Sequence, residues 1–389
     1  MTSEKQEEAV LAWLDGQKDA MVDLLGRLVN IDSGSYNKQG SDQVFHVLRD
    51  HFAEFGISSE LIPLATAGHD LRVVVPAGSG NAGNRPIVLM GHCDTVFADG
   101  TARERPFKVE DGRAYGPGVN DMKSGVVMNA FVLAAIAKTG GSSVPLVGLF
   151  SSDEEIASPG SRAVIEAEAR GARAVFNSEP ARPNGNVVTG RKGAVFFRFE
   201  ITGKAAHSGV AHDQGRSAIH EMACKIQALH ALTDYETGTT VNVGLVEGGR
   251  SVNTVAPFAA AEVDVRFKTL TEMEDIMGRI RDVLGVIHVP GTETRIVREG
   301  RFLPLEEKES NRALFEAYAQ GAREVGFEVE GEYTGGSADS GYTSAIGTPT
   351  LCGTGPVGAG SHSEDEYMLV DTLVPRAKAL ALTVLRLNN

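Results

Sequence analysis

Two short runs carry the first residues able to do chemistry. Residues 86–96, Pro-Ile-Val-Leu-Met-Gly-His-Cys-Asp-Thr-Val, read as an apolar strand that ends in His92 and Asp94. Ligands of open α/β sheets gather beyond the carboxyl ends of strands. Side chains two apart on a strand share a face, so Asp94 is placed to accept a hydrogen bond from the His92 imidazole and fix the tautomer of a metal ligand. Residues 146–155, Leu-Val-Gly-Leu-Phe-Ser-Ser-Asp-Glu-Glu, end a second apolar run in three consecutive carboxylates. Adjacent carboxylates repel, and a cation that neutralises them makes the arrangement more tolerable. Asp121 stands between the Gly116-Pro-Gly118 loop and an apolar helix, Glu179 just past a strand at 173–177, and His362 in a glycine-rich loop at 358–366. Each has a bland reading alone: a satisfied polar pair, a helix N-cap for Asp121, or a solvated turn. Jointly, His92, Asp121, Glu154, Glu155, Glu179 and His362 would line one rim of one sheet, and imidazole with carboxylate is a donor set that Zn²⁺ accepts.

The elements that must position these residues follow from apolar periodicity. Helices are expected over 5–29, 43–55, 122–138 and 160–169, with strands at 71–75, 86–90, 146–150 and 173–177. That alternation predicts an α/β fold with a mixed, largely parallel sheet and helices on both faces. From 193 the grammar changes. Strand 194–201, helix 215–232, strands 239–247 and 256–267, helix 271–284 and strand 292–297 spell a β-α-β-β-α-β unit of the ferredoxin-like kind. A helix at 311–325, short strands near 328–333 and 348–352, and a closing helix at 371–387 then resume the first pattern. The expected organisation is a discontinuous metal-binding catalytic domain, 1–192 and 302–389, with an inserted α+β lid and dimerisation domain, 193–301.

Composition narrows the function. Hydrophobic residues make up 42% and charged residues 23% of the 389, an ordinary globular balance. The net charge of −14 repels phosphate backbones and anionic lipid, which argues against nucleic-acid and membrane partners. Cys93, Cys224 and Cys352 are too scattered for a disulfide framework, and the acidic N-terminus lacks the signal-peptide pattern, so a cytoplasmic location is expected. Gly78-Ser-Gly-Asn-Ala-Gly83 and Gly353-Thr-Gly-Pro-Val-Gly358 match a dinucleotide spacing, but neither opens a helix. The sequence has no phosphate-binding Gly-x-x-x-x-Gly-Lys-Ser/Thr loop and no Gly-x-Ser-x-Gly elbow.

Three segments, Gly91-His-Cys-Asp-Thr-Val96, Gly116-Pro-Gly-Val-Asn-Asp-Met-Lys123 and Ser152-Asp-Glu-Glu155, occur in an order and spacing that resemble a known family. It is the co-catalytic metallopeptidase family that includes bacterial glutamate carboxypeptidase, aminoacylase, acetylornithine deacetylase and succinyl-diaminopimelate desuccinylase. The resemblance covers nearly the whole chain. It implies two divalent ions, zinc in the first place with cobalt or manganese as alternatives. Asp121 would bridge them, one held also by His92 and Glu179, the other by Glu155 and His362. Glu154 would be the general base, Asp94 the residue orienting His92, and Asp121-Met122 a cis peptide.

The resemblance also implies that His207, in Lys204-Ala-Ala-His-Ser-Gly209, helps bind the substrate carbonyl, often in the active site of a partner subunit. Asn253, Arg266, Gly336 and Ser337 match polar substrate contacts of the family, with Ala338 departing from the commonest form of its glycine-rich loop and leaving the role of Asp339 in doubt. A chain carrying −14 needs a cationic anchor for a carboxylate; Arg266 is favoured, with Arg191 and Arg301 in reserve, against a surface salt bridge as the plain alternative for Arg266. The implied activity is hydrolysis of an amide beside a free carboxylate in a small molecule or short peptide, releasing a glutamate-like C-terminal amino acid or deacylating an N-acyl amino acid. Removal of an amine from a small non-peptide carboxylate is the alternative chemistry, and a non-catalytic metal-binding protein the alternative class. A homodimer is expected.

Overall fold

The structure is a computed structural model that describes residues 3–65, 68–78 and 85–387. Of the glycine motif at 78–83, only Gly78 lies within the described residues. The chain divides into two compact units. The first takes the chain up to Gly190, Glu307–Thr334 and everything from Ala338; the second takes Arg191–Glu306 and Gly335–Ser337. The junctions fall at Arg191 and Glu306 rather than 193 and 301, because the backbones of Arg191 and Leu305 exchange reciprocal hydrogen bonds of 3.0 and 3.1 Å and so belong together.

The first unit is built on a sheet whose strands run, edge to edge, Ser58–Pro63, His69–Val75, Leu146–Ser151, Ile87–His92, Ala174–Asn177, Thr350–Cys352, Val187–Arg191 and Gly331–Thr334. The four central strands, from Leu146–Ser151 to Thr350–Cys352, pair in parallel, while antiparallel pairs flank them on both sides. Every residue of those four strands is buried, the signature of parallel strands covered on both faces. Their carboxyl ends therefore share one rim.

The helix Ser124–Lys138 packs close against that rim. It is apolar on nearly every side, which suits an element buried all round. Gly125 permits the approach, since a Cβ there would lie 1.9 Å from the Ser178 carbonyl oxygen. Asn129, the one polar residue in the middle of the helix, donates to the Met90 carbonyl at 3.1 Å and accepts from Ser178 Oγ at 2.7 Å. It thus fastens the helix to the ends of two strands. The expected first helix is two, Ser3–Asp15 and Lys18–Val29, broken at Gly16-Gln17. Ser58–Pro63 was not expected as a strand; it is an edge strand ending in proline, with little apolar contrast between its faces.

The second unit is a four-stranded antiparallel sheet in the order Thr240–Gly248, Phe258–Phe267, Gly193–Thr202, Glu293–Phe302, with helices Ala218–His230 and Leu270–Gly285. Alternate residues Val195, Phe197, Phe199 and Ile201 pack with Met222, Leu229, Ile276 and Ile280 in one apolar core. The β-α-β-β-α-β order and this topology are ferredoxin-like. Among the described residues no helix is long and apolar enough to cross a membrane.

One buried base in the first unit makes stability depend on acid. His51 packs among aromatic rings, 4.7 Å from the centroid of Phe131, and its Nε2 has no hydrogen-bond partner among the described residues. Burial, with a smaller push from the Arg27 charge, lowers its pKa from 6.5 to about 4. The unfolded chain takes up this proton below pH 6.5 and the native fold resists it until about pH 4. The stability tied to His51 is therefore whole above 6.5 and falls away as pH drops toward 4. Between pH 7 and 4.5, His51→Phe should lose about 2–3 kcal/mol less stability than the parent in denaturant titrations. Equal losses in both proteins would contradict this.

Candidate metal centre

Each candidate ligand comes from an end of an element described above. His92 closes the strand Ile87–His92; Glu154 and Glu155 open the single helical turn Glu154–Ile156 just past Leu146–Ser151; Glu179 lies two residues beyond Ala174–Asn177. Asp121 lies in an irregular turn, Val119–Lys123, and its peptide bond to Met122 is cis. His362 projects from the loop before Tyr367–Leu369 with a left-handed φ of 65°.

The geometry forms two groups joined by one residue. His92, Asp121 and Glu179 bring ligand atoms within 4.8 Å of one another, and so do Asp121, Glu155 and His362. Asp121 turns one oxygen each way: Oδ1 lies 3.2 Å from His92 Nε2, and Oδ2 lies 3.5 Å from His362 Nε2. Glu155 Oε2 is 3.2 Å from His362 Nε2, and Glu179 Oε1 is 3.9 Å from His92 Nε2. Glu154 stands beside both, its Oε2 3.9 Å from His92 Nε2.

The structure places Asp94 against His92, with its backbone carbonyl rather than its carboxylate nearer the ring. His92 Nδ1 lies 3.0 Å from the Asp94 backbone carbonyl, which can only accept, so Nδ1 carries the proton and Nε2 faces the carboxylates. The Asp94 carboxylate lies 3.4 Å from Nδ1 and has further work. It accepts from the amides of Glu154 and Glu155, both at 3.1 Å, and from Ser35 Oγ at 2.6 Å. The third acid of the triplet turns elsewhere: Asp153 accepts from the amides of Gly160 and Ser161 ahead of helix Arg162–Ala169.

The electrostatics test whether cations fit. Burial acts to lower the His92 pKa, but the carboxylates of Glu154, Asp121, Asp94 and Glu179 outweigh it and hold it well above 6.5. Hydrogen bonds to Asp121 and Glu155 raise His362 to about 10. Burial lifts Glu154 well above the usual carboxylate range, with Glu179 adding to the shift and His92 opposing it. Four carboxylates and two imidazoles in this space demand positive charge, which protons or divalent ions satisfy and for which they compete. The donor set, oxygen and imidazole nitrogen with one bridging carboxylate, fits two borderline divalent ions.

Residues the sequence reading passed over secure the frame. Glu366 is buried and accepts three backbone N–H groups, from Gly118 at 3.0 Å and from Asn120 and Asp121 at 2.9 Å. Burial raises its pKa to about 7, against those hydrogen bonds. Lys123 Nζ donates to the carbonyls of Leu28 and Ile31, tying the same turn to the end of helix Lys18–Val29. The signal for Glu366 was its position: of three acids after His362, it alone adjoins the strand Tyr367–Leu369.

The remaining expected site residues all belong to the second unit. His207 and Asn253 are exposed and lie on neighbouring segments, linked by a bridge between His207 and Thr254 and by a 3.0 Å bond from Ser208 N–H to the Asn253 carbonyl. Arg266 Nη1 donates to Ser337 Oγ at 3.2 Å, and Arg191 Nη1 donates to the Gly336 carbonyl at 3.3 Å. Arg266 also holds Asp264 through two parallel 2.7 Å bonds, the plain salt-bridge alternative. Arg301 pairs with Glu299 and is not gathered with Arg266: it stands opposite Val195 and Arg266 opposite Ala194, so the two point to opposite faces of the sheet. Asp339, in the first unit, is buried and accepts from Ser158 Oγ.

Comparison with known proteins gives the family. Carboxypeptidase G2 of Pseudomonas sp. (strain RS-16) is 25% identical over 383 residues, covering 97% of this chain and 92% of that protein. Succinyl-diaminopimelate desuccinylase of Dechloromonas aromatica (strain RCB) is 31% identical over 323 residues, 77% of this chain and 82% of that protein. The crystal structure of aminopeptidase PepT from Bacillus cereus ATCC 10987 superposes with a TM-score of 0.76 at 20% identity, covering 96% of this chain and 99% of that one, and shares the fold. Residues 88–386 match peptidase family M20/M25/M40. The chain belongs to this family of dinuclear metal hydrolases.

Proposed function

We propose that the protein hydrolyses an amide bond beside a free carboxylate, releasing a glutamate-like C-terminal amino acid or deacylating an N-acyl amino acid. The observation that carries this reading is the bridging placement of Asp121 between His92 and His362, with the carboxylate of Glu154 alongside. His92, Asp121 and Glu179 would hold one divalent ion, and Asp121, Glu155 and His362 the other, zinc being favoured and cobalt or manganese also suited. Bound there, the ions supply Lewis acidity toward a water and a carbonyl oxygen.

The chain's own residues do the rest. Glu154 takes the proton of the attacking water on its carboxylate and returns it to the leaving amine nitrogen, a task that suits a carboxyl whose burial raises its pKa. Asp94 keeps the His92 ring and the Glu154 backbone in fixed register. His207 donates to the carbonyl oxygen as negative charge builds on it. Arg266 Nη1 with Ser337 Oγ anchors the substrate carboxylate, its Nε and Nη2 being engaged by Asp264, with Gly336 and Arg191 as further polar contacts at that end of the second unit and Asn253, at the other end beside His207, as another. The names of the Pseudomonas and Dechloromonas relatives support C-terminal release and deacylation respectively. A cytoplasmic location accords with three cysteines that form no disulfide.

The same reading includes a homodimer formed through the second unit. Thr240–Gly248 is an edge strand with Leu245 and Val246 about 60% exposed, and Val252 beside Asn253 is fully exposed. His207 would complete the partner's site.

Two experiments test this reading. Glu154→Gln should keep its metal, by elemental analysis, while kcat on N-acyl amino acids falls about 10²–10⁴-fold; Glu155→Gln should lose metal affinity as well. Near-normal turnover in Glu154→Gln would refute the general-base role. Mixing inactive His207→Ala with inactive Glu154→Gln should restore up to about a quarter of wild-type activity if each histidine serves the other subunit. No recovery despite proven subunit exchange would refute the trans arrangement.

A further inference from the structure

Beside the second ligand group the first unit carries a hollow of about 470 Å³, walled by the loops 34–37 and 95–99 and reaching Glu155 and Ile156. Its size is that of a small-molecule subsite. Glu155 is also one of the two carboxylates facing His362 Nε2, so the hollow adjoins the second ligand group. Tyr36 and Val96 present side chains 82% and 47% exposed into solvent here, with Phe97 and Ile156 alongside. Apolar groups gathered beside a ligand group suit an apolar ligand.

The walls are fixed in advance. Asp32 accepts the amides of Gly100 and Ala102, each at 2.8 Å, and Asn37 Nδ2 donates to Asp99 Oδ1 at 2.6 Å. Ser35 Oγ donates to Asp94, which holds the Glu155 amide, so one wall is joined to the ligand turn through a single carboxylate. The Arg105 guanidinium covers the Phe97 ring at 4.7 Å and donates to the Ser363 carbonyl at 3.2 Å, joining the other wall to the residue after His362. Gly34 lies too close to the Phe97 carbonyl to accept a side chain, since a Cβ would meet it at 2.9 Å.

Charge decides which part of a substrate belongs here. Among the described residues lining the hollow none is lysine or arginine, and beyond Glu155, a candidate metal ligand, Asp99 adds a carboxylate. A free carboxylate would find no side-chain cation on these walls and a like charge at Asp99, whereas an uncharged apolar group needs no such partner. We infer that the hollow is the acyl subsite, and that the acyl group it selects is neutral and aromatic or branched-apolar rather than anionic. This rests on the amide-hydrolase reading: a carbonyl held at the ligand groups directs its acyl substituent past Glu155 onto Tyr36, Val96, Phe97 and Ile156. An anionic acyl group such as succinyl would meet Asp99 and no side-chain cation on these walls.

The test compares N-benzoyl-, N-acetyl- and N-succinyl-L-glutamate with the metal-replete enzyme. The benzoyl compound should exceed the succinyl compound in kcat/KM by about 10²-fold or more, the scale on which a pocket discriminates size and charge. Tyr36→Ala should lower the benzoyl-to-acetyl ratio about tenfold, and Val96→Lys should raise the succinyl-to-benzoyl ratio by a similar factor. Metal content measured in both variants establishes that the centre is intact. A wild-type enzyme that prefers succinyl, or ratios unchanged in both variants, would overturn the inference. Calorimetric binding separates it from the parent reading. Benzoyl bound more tightly than succinyl by a protein that hydrolyses neither would uphold the subsite and overturn the hydrolase; hydrolysis of both at equal kcat/KM would do the reverse.

Discussion

One buried carboxylate holds the reactive rim together. Asp94 is fully inaccessible to solvent, and a carboxylate in that position is tolerable only when its oxygens are hydrogen-bonded. Its partners come from three places: a hydroxyl in the loop after helix Lys18–Val29, two amides in the turn after Leu146–Ser151, and the imidazole that ends the strand just before it. Satisfying one charge therefore sets the distances among His92, Glu154 and Glu155, and it also sets one wall of the adjoining hollow. Because hydrogen bonds to an ionised acceptor are short and directional, the chain's own groups fix those distances.

Glu366 plays the complementary part on the other side of the bridging residue. Its carboxylate gathers three amides of the turn that presents Asp121, and the neighbouring Lys123 ties that turn to a helix end. The bridging aspartate is thus held by its backbone, which leaves both side-chain oxygens free to face the two histidines. Negative charge accumulates as a consequence. Carboxylates crowd the rim and hold both imidazoles above their ordinary proton affinity, so the centre competes for cations of any kind.

Much of this was legible in the sequence, for a physical reason. Parallel strands buried on both faces are short, wholly apolar runs, so a polar residue that ends one stands out; His92, Glu154 and Glu179 were visible in this way. The inserted unit was legible because its strands alternate and its helices do not. Partners distant along the chain were not legible: nothing local announces that Ser35 meets Asp94 or that Glu366 meets residues 118–121. Arg266 shows the converse. The spacing Asp264-Val-Arg266 puts acid and base on one face of a strand, so their mutual pairing could be read locally, whereas a substrate carboxylate in the same fork could not.

The account stands on two cations sharing Asp121, and anomalous diffraction from crystals of the zinc-loaded protein tests that directly. Data collected on either side of the zinc absorption edge should give two peaks per chain, one among His92, Asp121 and Glu179 and the other among Asp121, Glu155 and His362, about 3.5–4 Å apart as in other two-metal sites. A single peak, or peaks that do not share Asp121, would contradict it.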